Sequence, residues 1–208
     1  MDLLKMMIFR ITLALVMLLA VNLTATELDE VFSQLKQKYA DVETYQAEFS
    51  QQNYWTEVDI HKTSNGKIFY NNDNLLLSYQ QPDGQKLLID STKVIMYDPS
   101  AEQVLITDKI DTKLRPIEIL KYYWEDAEKE LVTTKNGYNI LLKKAQNKFI
   151  TATVKDGWLK IIRIEDNSGN WVEYSFFNEV YNKKISPQIF QIEFDDDVNI
   201  IDNRKERL

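Results

Sequence analysis

Chemistry in this sequence would have to come from very few side chains. His61 is the only histidine and there is no cysteine. A Ser–His–Asp or Cys–His arrangement would therefore rest on His61 alone, with no nucleophile motif beside it. Next to Lys62 and near Asp59, His61 reads as a solvated loop residue. The five glycines never form a phosphate-cradling loop, and no zinc-ligand spacing occurs. Carboxylates do cluster, at Glu125-Asp126, Glu165-Asp166 and Asp195-Asp196-Asp197. A two-carboxylate glycosidase can draw its acids from distant parts of a chain. Calcium at Asp195–Asp197 would want a spaced ligand loop that is missing here. Solvated loops account for all three runs, so neither a catalytic residue nor a metal or cofactor is expected.

The elements that would position such residues show a more informative pattern. Strands are predicted at Gly66–Tyr70, Leu75–Tyr79, Lys86–Ile89, Lys93–Tyr97 and Gln103–Thr107. Turn residues separate them at Asn71–Asn74, Pro82-Asp83-Gly84, Asp90-Ser91 and Asp98-Pro99-Ser100. Connections this short give an antiparallel meander. A meander with one wet face should alternate apolar and polar side chains. Here Leu75 and Leu77 oppose Leu76, Leu87 and Ile89 oppose Leu88, and Val94 and Met96 oppose Ile95 and Tyr97. Both faces are apolar, so both must be covered. Two architectures satisfy that demand: a closed sandwich core with helices on the second face, or a curved sheet whose concave face holds a greasy ligand under helices.

Composition narrows the class. At 208 residues, with 11 Tyr, 9 Phe and 4 Trp but only 5 Gly and 4 Pro, the chain suits one strand-rich domain. A formal charge of −7 argues against nucleic acid as a partner. Lys5 and Arg10 precede an apolar run from Ile11 to Val21, with small residues at Thr24-Ala25-Thr26. That run is short for a transmembrane helix and fits the core of a signal peptide spanning 1–25. A retained signal anchor is the alternative. The expected product is one domain, 26–208, exported and soluble.

Along that domain, Leu28, Val31, Phe32, Leu35 and Tyr39 form the stripe of an amphipathic helix. Tyr45–Gln51 alternates as a strand with Tyr45, Ala47 and Phe49 inward, whereas Asn53–Thr63 reads as a strand end and hairpin. Pro116 opens a second helix carrying Leu114, Ile117, Leu120 and Trp124, with a further helical piece expected over Trp124–Leu131. Strands return at Glu130–Thr134, Tyr138–Lys143, Phe149–Lys155, Leu159–Glu165, Trp171–Asn178 and Ile189–Phe194. The end, Asp195–Leu208, is expected to fray.

Several segments resemble one family in order and spacing. They are Tyr45-Gln46-Ala47-Glu48-Phe49-Ser50-Gln51, Gly66-Lys67-Ile68-Phe69, Gln81-Pro82 and Tyr97-Asp98-Pro99-x-x-x-Gln103-Val104. Ile164-x-Asp166-x-x-Gly169-Asn170-x-x-x-Tyr174-x-Phe176 and Phe190-x-x-x-Phe194 follow. Together they resemble the periplasmic outer-membrane lipoprotein carrier of LolA type, over roughly residues 27–202. The resemblance implies a mainly β (α+β) fold: an incomplete antiparallel β-barrel of about ten to eleven strands. An N-terminal helix and a short helical lid would cover its hydrophobic cavity. It implies a periplasmic monomer without enzymatic activity, which takes acylated lipoproteins from an inner-membrane lipoprotein-releasing ABC transporter to an outer-membrane acceptor. A lipid- or glycolipid-binding module, or a lipoprotein sensor of the same fold, is the alternative. Phe49, Ile68, Leu75, Leu77, Val94, Met96 and Val104 are the expected lining, with Leu114, Ile117, Leu120 and Trp124 on the lid. The family's Arg-Pro pair, whose Arg bonds to the lid, is replaced here by Asn71-Asn72-Asp73.

Overall fold

A computed structural model describes residues 27–71, 73–109, 116–145, 148–194 and 197–204. The expected signal peptide at 1–25 and the lid residue Leu114 lie outside the described residues, as do Asp195 and Asp196 of the last acidic run. After helix α1 (27–40) come strands β1 (Tyr45–Trp55), β2 (Ile60–Tyr70), β3 (Leu75–Gln81), β4 (Lys86–Ile89), β5 (Lys93–Asp98) and β6 (Gln103–Asp108). Helix α2 (Pro116–Trp124) then leads to β7 (Glu128–Thr134), β8 (Gly137–Lys144), β9 (Lys148–Lys155), β10 (Trp158–Glu165), β11 (Trp171–Tyr181) and β12 (Asn199–Asp202).

All twelve strands form one open sheet in the order β12-β6-β5-β4-β3-β2-β1-β11-β10-β9-β8-β7. The chain starts in the middle, walks out to β6, crosses to the far edge at β7, and walks back until β11 pairs with β1. Bulges curve the sheet, because an extra residue on one strand bends it and tightens the local twist. One lies where Gln46 and Glu48 of β1 meet β11, opposite Asn178, whose φ is 52°. Others lie at Asn65/Gly66 and Leu159/Ile161. The result is an unclosed half-barrel.

Two covers answer the two apolar faces. On the concave face, Phe32, Leu35 and Tyr39 of α1 and Ile117, Ile119 and Leu120 of α2 pack on Ile140, Leu142, Ile150, Ala152, Val154, Leu159 and Ile162 of β8–β10. On the convex face, Leu76, Leu88, Ile95, Tyr97 and Val104 are covered by the strap that follows β11, through Ile185, Ile189, Phe190, Ile192, Phe194 and Val198. The helices thus lie inside the curve, and a strap without α-helix lies outside.

The sequence reading is corrected at four places. Ile189–Phe194 is not a strand: Pro187–Phe190 makes a single 3-10 turn, and the apolar side chains there plug into the sheet face instead of joining a ladder. The C-terminal segment does not simply fray, because β12 pairs with β6 at Asn199↔Gln103 through Asp202↔Ile106. That pairing is parallel, and among the described residues it brings the strand count to twelve. Finally, the helical piece expected after Trp124 is absent, since β7 already begins at Glu128 and pairs with β8 along its length. Its charged side chains suit an exposed sheet edge.

The strap makes a quantitative prediction. Phe190→Ala removes a large side chain from the convex core and is expected to cost about 3 kcal/mol in urea unfolding.

Candidate functional site

The concave face carries two apolar cores side by side. One lies under the helices; the other gathers Val42, Tyr45, Ala47, Phe49, Ile68, Leu75, Leu77, Ile89, Val94 and Phe176. Five expected lining residues, Phe49, Ile68, Leu75, Leu77 and Val94, therefore come together in this second core. Met96 shares a face with Val94 by strand parity, yet it is 51% exposed. Val104 is fully buried on the opposite, convex face under Phe190. Register explains this: Met96 pairs with Leu105, so Leu105 points inward and Val104 outward. The β5–β6 turn fixes that register, through the Asp98 carboxylate accepting from the Ser100 and Ala101 amides.

Cross-strand pairing draws one continuous row along the concave face, Ala47–Ile68–Leu77–Leu87–Met96–Leu105. Its Ala47 end is buried, Leu87 and Leu105 are half-buried, and Met96 is open. The row is a ledge leading from solvent into the core.

On the lid, Ile117 and Leu120 face the sheet and are buried. Trp124 turns instead to α1 and stacks on Phe32, with ring centroids 3.5 Å apart and planes 14° off parallel. The Lys129 ammonium stands 5.6 Å from the Trp124 ring. Asn71, where the family Arg is missing, accepts from the Asp73 and Asn74 amides at 3.0 and 2.8 Å, closing its own turn. The Phe32–Trp124 stack thus ties α2 to α1. Between Lys36, Tyr39, Ala40 and Val42 on one side and Ile117, Glu118 and Lys121 on the other, a cleft of about 250 Å³ reaches Tyr70.

The seam between the two cores is built from residues the sequence did not single out. Trp158 stacks on Tyr181 at 3.7 Å and meets the edge of Tyr39 at 5.2 Å, while Tyr45 lies 5.3 Å from Tyr181. The Tyr39 hydroxyl accepts from the Leu159 amide at 3.2 Å. Tyr181 donates to Glu179 at 2.8 Å, and the Glu179 carboxylate, only 3% exposed, is also bonded to the Lys160 ammonium. Among the described residues, the buried Tyr45 hydroxyl has no hydrogen-bond partner. Burial pushes the hydroxyl pKa of Tyr39, Tyr45 and Tyr181 upward, with the Glu179 charge adding to each. Burial also pushes Tyr79 up to about 12.

His61 stacks on Tyr54 at 4.3 Å, and among the described residues no group of three or more His, Asp or Glu gathers to hold a metal.

A family model described as outer membrane lipoprotein carrier protein LolA matches residues 40–193. The chain belongs to that family. Among solved structures, an uncharacterized conserved protein from Thermus thermophilus is similar at 10% identity and a TM-score of 0.56, covering 85% of this chain and 99% of its own. A LolA superfamily protein from Nitrosomonas europaea is similar at 11% identity and a TM-score of 0.43, covering 79% of this chain and 97% of its own. At 10% identity, the likeness to the Thermus thermophilus protein shows the fold alone. No curated protein matches the sequence. Membership of the LolA family points to lipid or lipoprotein binding, and the family's members are carriers, not enzymes.

The tyrosine seam sets an alkaline limit. In each of these tyrosines the folded pKa lies above the unfolded value near 10. Their contribution to stability is complete below about pH 10 and declines as pH rises through the folded pKa, which for Tyr79 is about 12. In an alkaline titration, the phenolate absorbance of these four should appear together with loss of the folded circular dichroism signal. Free titration of all eleven tyrosines near pH 10 with the fold intact would contradict the burial described.

Proposed function

We propose that this protein is a periplasmic carrier that shields the acyl chains of lipoproteins between the inner and outer membranes. The observation that supports it most is the concave row running from the open Met96 to the buried Ala47 beside the helix-covered core. Exposing an acyl chain of about 16 carbons to water costs about 12 kcal/mol, at about 0.8 kcal/mol per methylene. A carrier has to offset most of this and still let go. Beside that row, Ile117, Ile119 and Leu120 of α2 cover the sheet over β8–β10. An acyl chain that follows the row past Ala47 and on under α2 exchanges one apolar cover for another, so loading leaves the sheet dry at small net cost. Phe49, Ile68, Leu75, Leu77 and Val94 form the depth of the site, Leu87, Met96 and Leu105 its approach, and the Phe32–Trp124 stack is the catch that holds the lid. A lipoprotein-releasing ABC transporter is the donor that this reading implies, with an outer-membrane protein as acceptor.

The site performs no bond chemistry in this reading. Its work is partitioning, and the flexible, polarizable Met96 at the approach suits a chain that must slide. The test is binding of a fluorescent acyl probe by the purified protein. Met96→Glu leaves the fold intact, because the side chain is exposed, and is expected to weaken binding roughly tenfold. Trp124→Leu removes the stack with Phe32 and is expected to speed probe uptake in stopped-flow mixing. A wild-type protein that excludes every acyl probe would remove the proposal. Recovery of the cargo from the native compartment separates the two ligand classes: an acylated polypeptide supports the carrier, a free lipid or glycolipid the alternative module.

A further inference from the structure

The β1–β2 hairpin extends beyond anything the concave site uses. Its tip exposes Trp55 by 42%, Val58 by 61% and Ile60 by 50%. Trp55 and Ile60 are a cross-strand pair on the concave side, and Val58 sits in the tight turn that Asp59 closes with a left-handed φ of 49°. The opposite side of the same two strands carries the next pair, Tyr54 and His61, stacked at 4.3 Å. Trp171 lies 5.9 Å from Tyr54, with the Arg163 guanidinium 4.1 Å over its ring.

We propose that this tip is a membrane-interface anchor that enters the headgroup region of a zwitterionic bilayer. The two-sidedness carries the argument. A protein partner lays one surface against one face, whereas a bilayer interface surrounds an inserted tip, and here both faces are apolar or aromatic. Trp and Tyr are the side chains suited to that depth, since each pairs an apolar body with a polar edge. The charges set both the depth and the lipid. Glu57 and Asp59 flank Val58 at the extremity and are exposed, so the tip stops where they meet the ammonium groups of phosphatidylcholine or phosphatidylethanolamine. Anionic lipid repels the same carboxylates, and the −7 charge of the chain adds to that repulsion. The anchor stands independently of the acyl-carrier reading, because it needs no cargo and none of the concave lining.

The chain has no cysteine, so Val58→Cys gives a single attachment point for an environment-sensitive fluorophore. With phosphatidylcholine vesicles and cargo-free protein, its emission is expected to shift to the blue, while a label at Lys135→Cys in the β7–β8 turn stays unchanged. Replacing part of the phosphatidylcholine with phosphatidylglycerol should weaken binding. Adding Trp55→Ser and Ile60→Ser to the labelled protein should lower partitioning at least tenfold, to judge from the area these side chains would bury. The proposal fails if the Val58 label never shifts, if both labels shift alike, or if anionic lipid strengthens binding. It also fails if Met96→Glu abolishes binding while Trp55→Ser and Ile60→Ser leave it intact, which would assign vesicle contact to the concave lining.

Discussion

A sheet that is apolar on both sides cannot stand in water, and the rest of this structure follows from that constraint. Strands β3–β6 place leucine, isoleucine and valine alternately inward and outward, so neither side can be the wet one. The two sides receive different treatment. Outside, the strap through Phe190 and Phe194 seals the surface with the chain's own side chains and is tied off by β12. Inside, the cover is two helices that meet the sheet over β8–β10 and leave the β4–β6 end of the row half open. One face is sealed along the whole of β3–β6, and the other is left partly open.

Much of this was legible in the sequence. The paired leucines announced two apolar faces, the 3-4 spacing of Leu28, Phe32, Leu35 and Tyr39 gave α1 and its buried stripe, and Asn, Asp, Gly and Pro marked the turns of the meander. The ordered short motifs named the family over most of the length that the family model matches. The strap was misread because Ile189, Phe190, Ile192 and Phe194 are as good a strand pattern as many real strands. Only the outer face of β3–β6, distant in sequence, decides that they plug a surface instead.

The lining was partly legible for a related reason. Parity within a strand is local, so the sequence is enough to put Val94 and Met96 on one face. Parity between strands depends on register, and register depends on the Asp98-capped turn, so Val104 went to the other side and Leu105 took its place. Exposure is less local still: Met96 is open because α1 and α2 lie over β8–β10, on the other half of the sheet. The aromatic seam shows the same limit, since Tyr39, Tyr45, Trp158 and Tyr181 converge only once β11 closes on β1.

That closure has a consequence for how the molecule is made. The central pair β1–β11 joins strands near the two ends of the fold, and Asn182 bonds Asp41 across 141 positions. A chain delivered N-terminus first can build the β1–β6 ladder early, but the strap for its convex face and the partner for β1 arrive only in its last third. Until then a two-sided greasy ribbon stands uncovered, the species most prone to stick to its copies. The order of synthesis and the order of burial therefore run against each other: the first strands made are the last to be covered.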